Sequence, residues 1–111
     1  MLKIAHRGSV NGKVKDIRGN LSYYRFPDNS MLSYINAIEE KFDMIECDIS
    51  LTSDNILIMF HDSHVGSIPV HKISYAEMKN RFKYLITFDY FCKNVYPKIP
   101  ILLDVKGPND T

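Results

Sequence analysis

The chain has 111 residues, of which 45% are hydrophobic and 24% are charged, and this composition is typical of a globular protein rather than a disordered or fibrous one. At this length we expect one domain, spanning residues 1–111, with a single modest core. The net charge of +1 provides no whole-molecule field for binding nucleic acid or an anionic membrane surface.

Cysteine usage and the apolar runs bear on the cellular compartment. Cys47 and Cys92 are the only cysteines, which argues against a disulfide framework and favours a reducing compartment. The first residues, MLKIAHRGSV, lack the apolar stretch of a signal peptide, and the runs ILIMF and IPILL are too short to span a bilayer. The sequence therefore predicts a soluble, cytoplasmic protein, although a mature chain that has lost a signal peptide would look the same.

The first part of the chain is predicted to contain a strand, a loop and a helix. Residues 2–5 form a short strand, and residues 9–26 form a polar and aromatic loop. A helix is predicted from Ser30 to Lys41, capped by Asn29 or Ser30. Its apolar residues follow helical spacing: Met31, Tyr34, Ile35 and Ile38.

The rest of the chain alternates between predicted strands and helices. The strands are 43–51, 56–61 and 99–105, and the helices are Ser74–Phe82, with a capping box in Ser74 and Glu77, and Thr87–Asn94. This alternation indicates an α/β fold with a largely parallel sheet. The first two of these strands are an exception, because the short SDN turn between them requires an antiparallel hairpin.

The expected hairpin register places charged side chains together. A two-residue turn at Asp54 and Asn55 puts Asp48 directly opposite His61, with Glu46 on the same face. The opposite face then holds the apolar residues: Ile45, Cys47, Ile49, Leu51, Ile58 and Phe60.

Glu46 and Asp48 are separated by one residue in a predicted strand. They therefore share a face and lie roughly 7 Å apart at Cα, so their oxygens can converge on one hard cation. An arbitrary pair of this kind more often marks a solvent-facing edge strand that is charged against aggregation. The surrounding sequence decides between these two interpretations.

Ionisable side chains also occur at the ends of the other predicted strands. His6 and Arg7 follow the first strand, His61 ends the hairpin, and Asp104 and Lys106 end the last strand. In α/β sheets and barrels the active site lies outside the carboxyl ends of the strands, so this recurrence predicts a site. A single histidine taken alone is equally well explained as a satisfied, partly buried side chain.

The combined set of side chains fits phosphodiester cleavage. Three carboxylates favour Mg²⁺, Ca²⁺ or Mn²⁺ over zinc, two histidines transfer protons to and from the reacting oxygens, and two cations contact anionic oxygens. Cys47 lies on the opposite face of its strand and is not expected to be a ligand. The candidates are metal ligands Glu46, Asp48 and Asp104, proton-transfer residues His6 and His61, and cationic Arg7 and Lys106.

Five stretches, in the same order, resemble the glycerophosphodiester phosphodiesterase family. They are IAHRG (4–8), PDNSMLSYINAI (27–38), MIECDISLTSDNILIMFHD (44–62), ITFDYF (86–91) and ILLDVKG (101–107). The resemblance implies a barrel of the TIM type, a divalent cation (Mg²⁺ or Ca²⁺), and hydrolysis of a small glycerophosphodiester to an alcohol and glycerol 3-phosphate. It implies the same roles for the candidates above, with Arg7 and Lys106 as phosphate-binding or site-supporting cations, and it adds Asn29 as a residue that lines the site as well as capping the helix.

Three features depart from the family pattern. Asp104 and Asp28 stand where glutamate is usual, and the shorter Asp104 leaves open whether it contacts the cation directly or through water. The loop before PDN is longer than usual, and its basic and aromatic residues fit a lid over an anionic substrate or, more simply, a solvated loop. These residues are Lys13, Lys15, Arg18, Arg25, Tyr23 and Tyr24, with Asp16 as an acidic neighbour.

The length limits how much of a barrel the chain can form. A complete (β/α)₈ barrel takes roughly 200 residues or more, so we expect a partial TIM-barrel-like α/β fold with the first three to four strands. Three interpretations stay open: an amino-terminal part of a phosphoric diester hydrolase, a minimal protein whose sheet is completed by a homo-oligomer or a partner chain, or a noncatalytic metal- or phosphate-binding module. Open sheet edges favour truncation or oligomerisation over a stable monomer.

Overall fold

The computed structural model describes residues 2–8, 11–15, 21–25 and 27–106, with the backbone alone for 11–15 and 21–25. In chain order the strands are β1 (Ile4–His6), β2 (Asn11–Lys15), β3 (Leu21–Arg25), β4 (Met44–Leu51), β5 (Leu57–Met59), β6 (His64–Val65), β7 (Ile68–Pro69) and β8 (Ile101–Val105). The helices are α1 (Met31–Glu39), α2 (Tyr75–Arg81) and α3 (Phe88–Asn94), and short 3₁₀ helices cover Val70–Lys72 and Tyr96–Lys98.

The main sheet is built around β4, which pairs in parallel with β1 and with β8. The short β5 runs antiparallel to the carboxyl-terminal end of β4, on the same edge as β1. Helix α1 connects β1 to β4, and α2 and α3 lie between β5 and β8 in the sequence. The described strands do not close into a barrel, which confirms the predicted partial α/β fold.

The three predicted helices are confirmed, and their first turns show why they begin where they do. Ser30 caps α1: its Oγ accepts from Ser33 N, while Ser33 Oγ accepts from Ser30 N, both at 3.2 Å. Ser74 Oγ and Thr87 Oγ1 accept backbone bonds at the starts of α2 and α3. These local bonds explain why the sequence predicts the helix starts well.

Two apolar clusters hold the elements together. The first lies between the sheet and helices α1 and α3, and the second surrounds β5, the first 3₁₀ helix and α2. The first contains Ala5, Tyr34, Ala37, Ile45, Cys47, Ile49, Met59, Phe91, Val95 and Ile99. The second contains Ile58, Phe60, Val70, Ile73, Met78 and Leu85.

The predicted register of the β4–β5 hairpin is wrong by one residue. Ile49 pairs with Met59, and Phe60 N donates to Asp48 O at 3.0 Å, so His61 is not opposite Asp48. The cause is a three-residue loop with Asn55 at a φ of 63°, in place of the expected two-residue turn. A shift of one residue moves every side chain of the strand to the opposite face relative to its partner.

The register shift also changes which apolar residues share a core. Met59 joins Ile49 in the first cluster, and Ile58 and Phe60 lie in the second. The prediction that Ile58 and Phe60 share a face with Ile45 is therefore wrong. Strand β5 ends at Met59 and not at residue 61, so the backbone beyond it is free to turn His61 towards the site.

The predicted loop over residues 9–26 is wrong where the structure describes it. Strands β2 and β3 pair as an antiparallel ribbon, from Asn11 with Arg25 to Lys15 with Leu21. The side chains of the proposed basic and aromatic lid lie outside the described residues, as do Asp16 and Arg18 entirely. A second short hairpin, β6–β7, was also absent from the predicted elements.

Candidate active site

Three parallel strands carry acidic and imidazole side chains to one end of the sheet. In the observed register His6 pairs with Glu46, and Asp48 pairs with Asp104. Paired residues on neighbouring strands point to the same face, as do alternate residues on one strand. The strand pairing therefore brings four predicted site residues, from three separate segments, to one face, while Cys47 is buried on the other.

The carboxylates of Glu46, Asp48 and Asp104 form a compact group, with one oxygen of each within 4.8 Å of the others. Asp48 is 1% exposed, and its Oδ1 has no hydrogen-bond partner within the described part of the chain. A buried carboxylate oxygen without a donor is costly, and a bound cation removes that cost. Hard divalent cations prefer such oxygens. These residues therefore fit an ion such as Mg²⁺ or Ca²⁺.

The pKa values of two of these carboxylates are shifted in opposite directions. Burial raises the pKa of Glu46, the hydrogen bond that Arg7 N donates at 3.0 Å lowers it, and the neighbouring Asp48 raises it again. Lys106 Nζ donates to Asp104 Oδ2 at 2.8 Å and lowers the pKa of Asp104. Lys106 Nζ also lies 3.8 Å from Asp48 Oδ1. Lys106 thus links two of the three candidate metal ligands.

A tight turn after β1 brings Arg7 into the site. Arg7 and Gly8 have positive φ angles of 56° and 70°. A Cβ atom at Gly8 would lie 2.5 Å from Tyr34 Cδ1, so only glycine fits beside that ring. His6 precedes the turn, and its Nε2 lies 3.4 Å from Glu46 Oε2. The HRG sequence therefore places the imidazole of His6 beside Glu46 and the guanidinium of Arg7 beside Asp48, whose Oδ2 lies 3.9 Å from Arg7 Nε.

The guanidinium of Arg7 connects the β1 turn to His61. Its Nη1 donates to Asp28 Oδ2 at 3.1 Å, and its Nη2 lies 2.7 Å from His61 Nε2. Because a guanidinium only donates, His61 Nε2 is assigned as the acceptor, and the ring proton is assigned to Nδ1. Asp62 Oδ1 lies 2.8 Å from that Nδ1 and accepts the bond. Arg7 and Asp62 together select one neutral tautomer of His61.

Asn29 joins the start of α1 to β4. Its φ is 56°, its side chain is buried, and its backbone N donates to Arg7 O at 2.9 Å. Asn29 Nδ2 donates to Asp48 Oδ2 at 3.1 Å, and Asp48 N donates to Asn29 Oδ1 at 3.2 Å. Asn29 therefore contacts a candidate metal ligand, and Ser30, not Asn29, caps the helix.

Two residues beside the site, Tyr34 and Tyr84, escape prediction from the sequence. Tyr34 OH donates to Asn29 Oδ1 at 2.8 Å, although helical spacing counts Tyr34 simply as an apolar residue of α1. The available signal was its hydroxyl, because a buried phenol requires a hydrogen-bond partner. Tyr84 lies in a connection between helices, and nothing in its neighbours marks it.

A cavity of about 200 Å³ opens beside His61. Burial raises the pKa of Tyr84 above its ordinary value, and its phenol hydroxyl can donate a hydrogen bond. The cavity provides space for a substrate group in contact with both the guanidinium and the imidazole. Its lining residues are Arg7, Pro27, Asp28, Asn29, Phe60, His61, Asp62 and Tyr84.

Comparison with known proteins identifies the family. The model of the Glycerophosphoryl diester phosphodiesterase family matches residues 18–98, well over half of the chain. The chain belongs to this family. None of the described helices is long and apolar enough to cross a membrane.

Solved structures of family members share the fold. A glycerophosphodiester phosphodiesterase from Thermotoga maritima is 18% identical, with a TM-score of 0.72 over 96% of this chain and 45% of that chain. One from Parabacteroides distasonis is 27% identical, with a TM-score of 0.63 over 76% and 37%. An Oleispira antarctica phosphodiesterase in complex with the product sn-glycerol-3-phosphate is 20% identical, with a TM-score of 0.69 over 96% and 44%. This chain spans less than half the length of each.

Proposed function

We propose that this chain supplies the metal-binding and proton-transfer groups of a phosphodiesterase that hydrolyses glycerophosphodiesters to an alcohol and glycerol 3-phosphate. The observation that carries the proposal is the meeting of three carboxylates, two imidazoles and one guanidinium from separate chain segments. Family membership supports the reaction class. The glycerol-phosphate product in the Oleispira antarctica relative supports a small-molecule substrate.

Glu46, Asp48 and Asp104 are the proposed ligands of a divalent cation, Mg²⁺ or Ca²⁺. When bound, the cation neutralises charge on the nonbridging phosphate oxygens as the phosphorus is attacked. The buried Oδ1 of Asp48, which accepts no hydrogen bond from the described residues, supports this role most directly. Lys106 and Arg7 add positive charge from either side of the carboxylates and are the proposed phosphate-binding residues.

His61 is proposed to act as the general base and His6 as the general acid. The Nε2 lone pair of His61 takes a proton of the attacking water as the new P–O bond forms, and Asp62 stabilises the resulting imidazolium. His6 gives a proton to the leaving oxygen as the old P–O bond breaks. His6 is exposed, with its Nε2 near Glu46, which leaves it accessible to a leaving group.

Arg7 is proposed to exchange partners when substrate binds. Its Nη2 donates to His61 Nε2 at 2.7 Å, which occupies the lone pair required of a base. A phosphate oxygen is a stronger, charged acceptor for the same guanidinium. Movement of Arg7 onto phosphate therefore frees His61 only when an anionic substrate is present.

Hydrolysis of glycerophosphocholine tests the proposed activity. We expect turnover with Mg²⁺ or Ca²⁺ that EDTA abolishes, and a loss of about 10²–10⁴-fold in His61→Ala because the base is removed. His71→Ala, a histidine on the first 3₁₀ helix, is the matched control and should retain activity. A folded, metal-binding chain without EDTA-sensitive turnover contradicts the enzymatic proposal.

That last outcome would favour a second candidate, a noncatalytic module that binds a metal or a phosphate. The observation behind this candidate is the coverage of less than half of each family structure. Measuring metal binding and turnover together separates the two candidates. The group of three carboxylates is sufficient for metal binding, whereas turnover also requires the histidines.

We also propose that further strands complete the sheet beside β8, supplied by a second copy of the chain or by a partner chain. Among the described residues, β8 pairs with β4 alone, and Leu102, Leu103 and Val105 are exposed on it. An apolar strand with an unpaired edge favours pairing with another strand. Such pairing would extend the sheet next to Asp104.

A further inference from the structure

Tyr34 is a fully buried residue whose polar atom faces the candidate cation site. Its ring packs in the first cluster, edge-on against Phe91 with ring centroids 5.0 Å apart, and it lies against Gly8. A phenylalanine would provide all of this apolar packing. The hydroxyl group is therefore the part of the side chain that needs a separate explanation, since burying it is costly unless it is hydrogen-bonded.

The hydroxyl of Tyr34 begins a chain of directed hydrogen bonds. Asp48 N can only donate, and it lies 3.2 Å from one side-chain atom of Asn29, which is therefore assigned as the carbonyl Oδ1. Tyr34 OH, 2.8 Å from the same Oδ1, must then also donate to it. The two donors hold the carboxamide of Asn29 in one orientation.

This orientation of Asn29 decides how Asp48 is presented. Asn29 Nδ2 faces Asp48 Oδ2 and donates to it at 3.1 Å. The other oxygen, Oδ1, is left without a hydrogen bond within the described residues, in the group formed with Glu46 and Asp104. Rotation of the carboxamide would remove the Nδ2 donor from Oδ2 and weaken the hold on the orientation of the carboxylate.

We propose that Tyr34 is a positioning residue for the cation site, acting through the carboxamide of Asn29 on the carboxylate of Asp48. This inference rests on the proposed cation site. Groups that orient metal ligands contribute about 10–100-fold to metal affinity when they contact the ligand directly. Tyr34 acts one bond further away, and a neutral hydrogen bond of about 1 kcal/mol corresponds to about fivefold.

The affinity of the 111-residue chain for Mn²⁺, measured by titration with electron paramagnetic resonance as the detection method, tests the inference without requiring turnover. We expect Tyr34→Phe to weaken Mn²⁺ binding about fivefold and to change the spectrum of the bound ion. Asn29→Gly tolerates the positive φ and removes the carboxamide, so it should weaken binding about tenfold or more. In that background Tyr34→Phe should have no further effect, because its route to Asp48 is gone.

Ile58→Val is the matched control for a general loss of packing. Ile58 is buried in the second cluster, so the substitution lowers stability without touching the bonds of Asn29. Its Mn²⁺ affinity should equal that of the wild type. An equal weakening in Ile58→Val and Tyr34→Phe would overturn the positioning role, as would an unchanged affinity in Tyr34→Phe or an additive effect in the double variant. Absence of Mn²⁺ binding by the folded wild type would instead overturn the cation site itself, and the positioning role with it.

Discussion

Gly8 is the residue at which one added methyl group would disturb the site most directly. A Cβ atom there would lie 2.5 Å from Tyr34 Cδ1 and 2.9 Å from Ser33 Oγ, and the φ of 70° disfavours any side chain. We expect Gly8→Ala to lower the free energy of unfolding by about 2–4 kcal/mol, as measured by urea denaturation. Overpacking and backbone strain both contribute to this value.

Gly66→Ala separates these two contributions. Its φ of 61° is similar, but an added Cβ would meet nothing within 4 Å. We therefore expect a smaller loss, about 1 kcal/mol, from backbone strain alone. Equal losses in the two variants would show that contact with Tyr34 does not constrain residue 8.

At the same scale, the sequence identifies many residues of the candidate site but not the bonds between them. Glu46 and Asp48 are recognisable from strand alternation, whereas His61 is recognisable from the family pattern and lies beyond the end of β5. The Asn29 carboxamide bonded to both Tyr34 and Asp48 is not, because those partners come from a loop, a helix and a strand. Only folding brings them within hydrogen-bonding distance.

The β4–β5 hairpin illustrates what decides structure at the scale of an element. Asp54 Oδ1 accepts from Thr52 Oγ1 at 2.6 Å and from Tyr75 N at 3.0 Å, joining the hairpin loop to the start of α2. The Thr52 bond lowers the pKa of Asp54, and the bond from Tyr75 N lowers it further. Residues 52–54 (TSD) therefore have a structural role, because they fix the hairpin loop to the start of α2.

Because the pKa of Asp54 is lower in the folded state, its carboxylate stabilises the fold above the unfolded value of about 3.9. This stabilisation is lost as the pH falls through the lowered, folded-state pKa. We expect Asp54→Asn to be less stable than the wild type at pH 7, with the difference shrinking in acid, as measured by urea denaturation across pH. Ser53→Ala is the control in the same loop. A difference that does not depend on pH would contradict the stated role.

Helices and hairpins differ in how far the sequence specifies them. Ser30, Ser74 and Thr87 form bonds within their own first turns, so local sequence predicts the starts of α1, α2 and α3. The hairpin register depends on the three-residue loop with Asn55 at positive φ, and this register buries Met59 in the first cluster, against residues distant in sequence. The β2–β3 ribbon likewise requires pairing across the chain, and a polar composition does not reveal it.

At the scale of the whole molecule, the dominant feature is the edge of the sheet at β8, which pairs with β4 alone among the described strands. Val105 is 64% exposed at the end of β8, and Leu103 is also exposed on this strand. The length limit predicts a partial barrel correctly, because strand number follows from residue count. What lies beside β8 depends on contacts that the described residues do not make with one another, so their local sequence does not specify it.

Self-association tests the proposed completion of the sheet by a second copy. We expect sedimentation equilibrium at tens of micromolar to give a mass above that of the monomer, and Leu103→Lys to shift it towards the monomer, since a charge opposes strand pairing. Leu32→Lys, an exposed leucine on α1, is the control and should not shift it. A wild type that is monomeric at every concentration would contradict completion by a second copy.

The most direct test of the whole account is the position of a bound cation. We predict that a crystal soaked in Mn²⁺ gives one anomalous-scattering peak between β4 and β8, within roughly 2.0–2.6 Å of carboxylate oxygens of Glu46 and Asp48. Asp104 should lie next to that peak, bound directly or through one water. A peak bound elsewhere, or no peak at this end of the sheet, would contradict the claim that these carboxylates form the centre of the site.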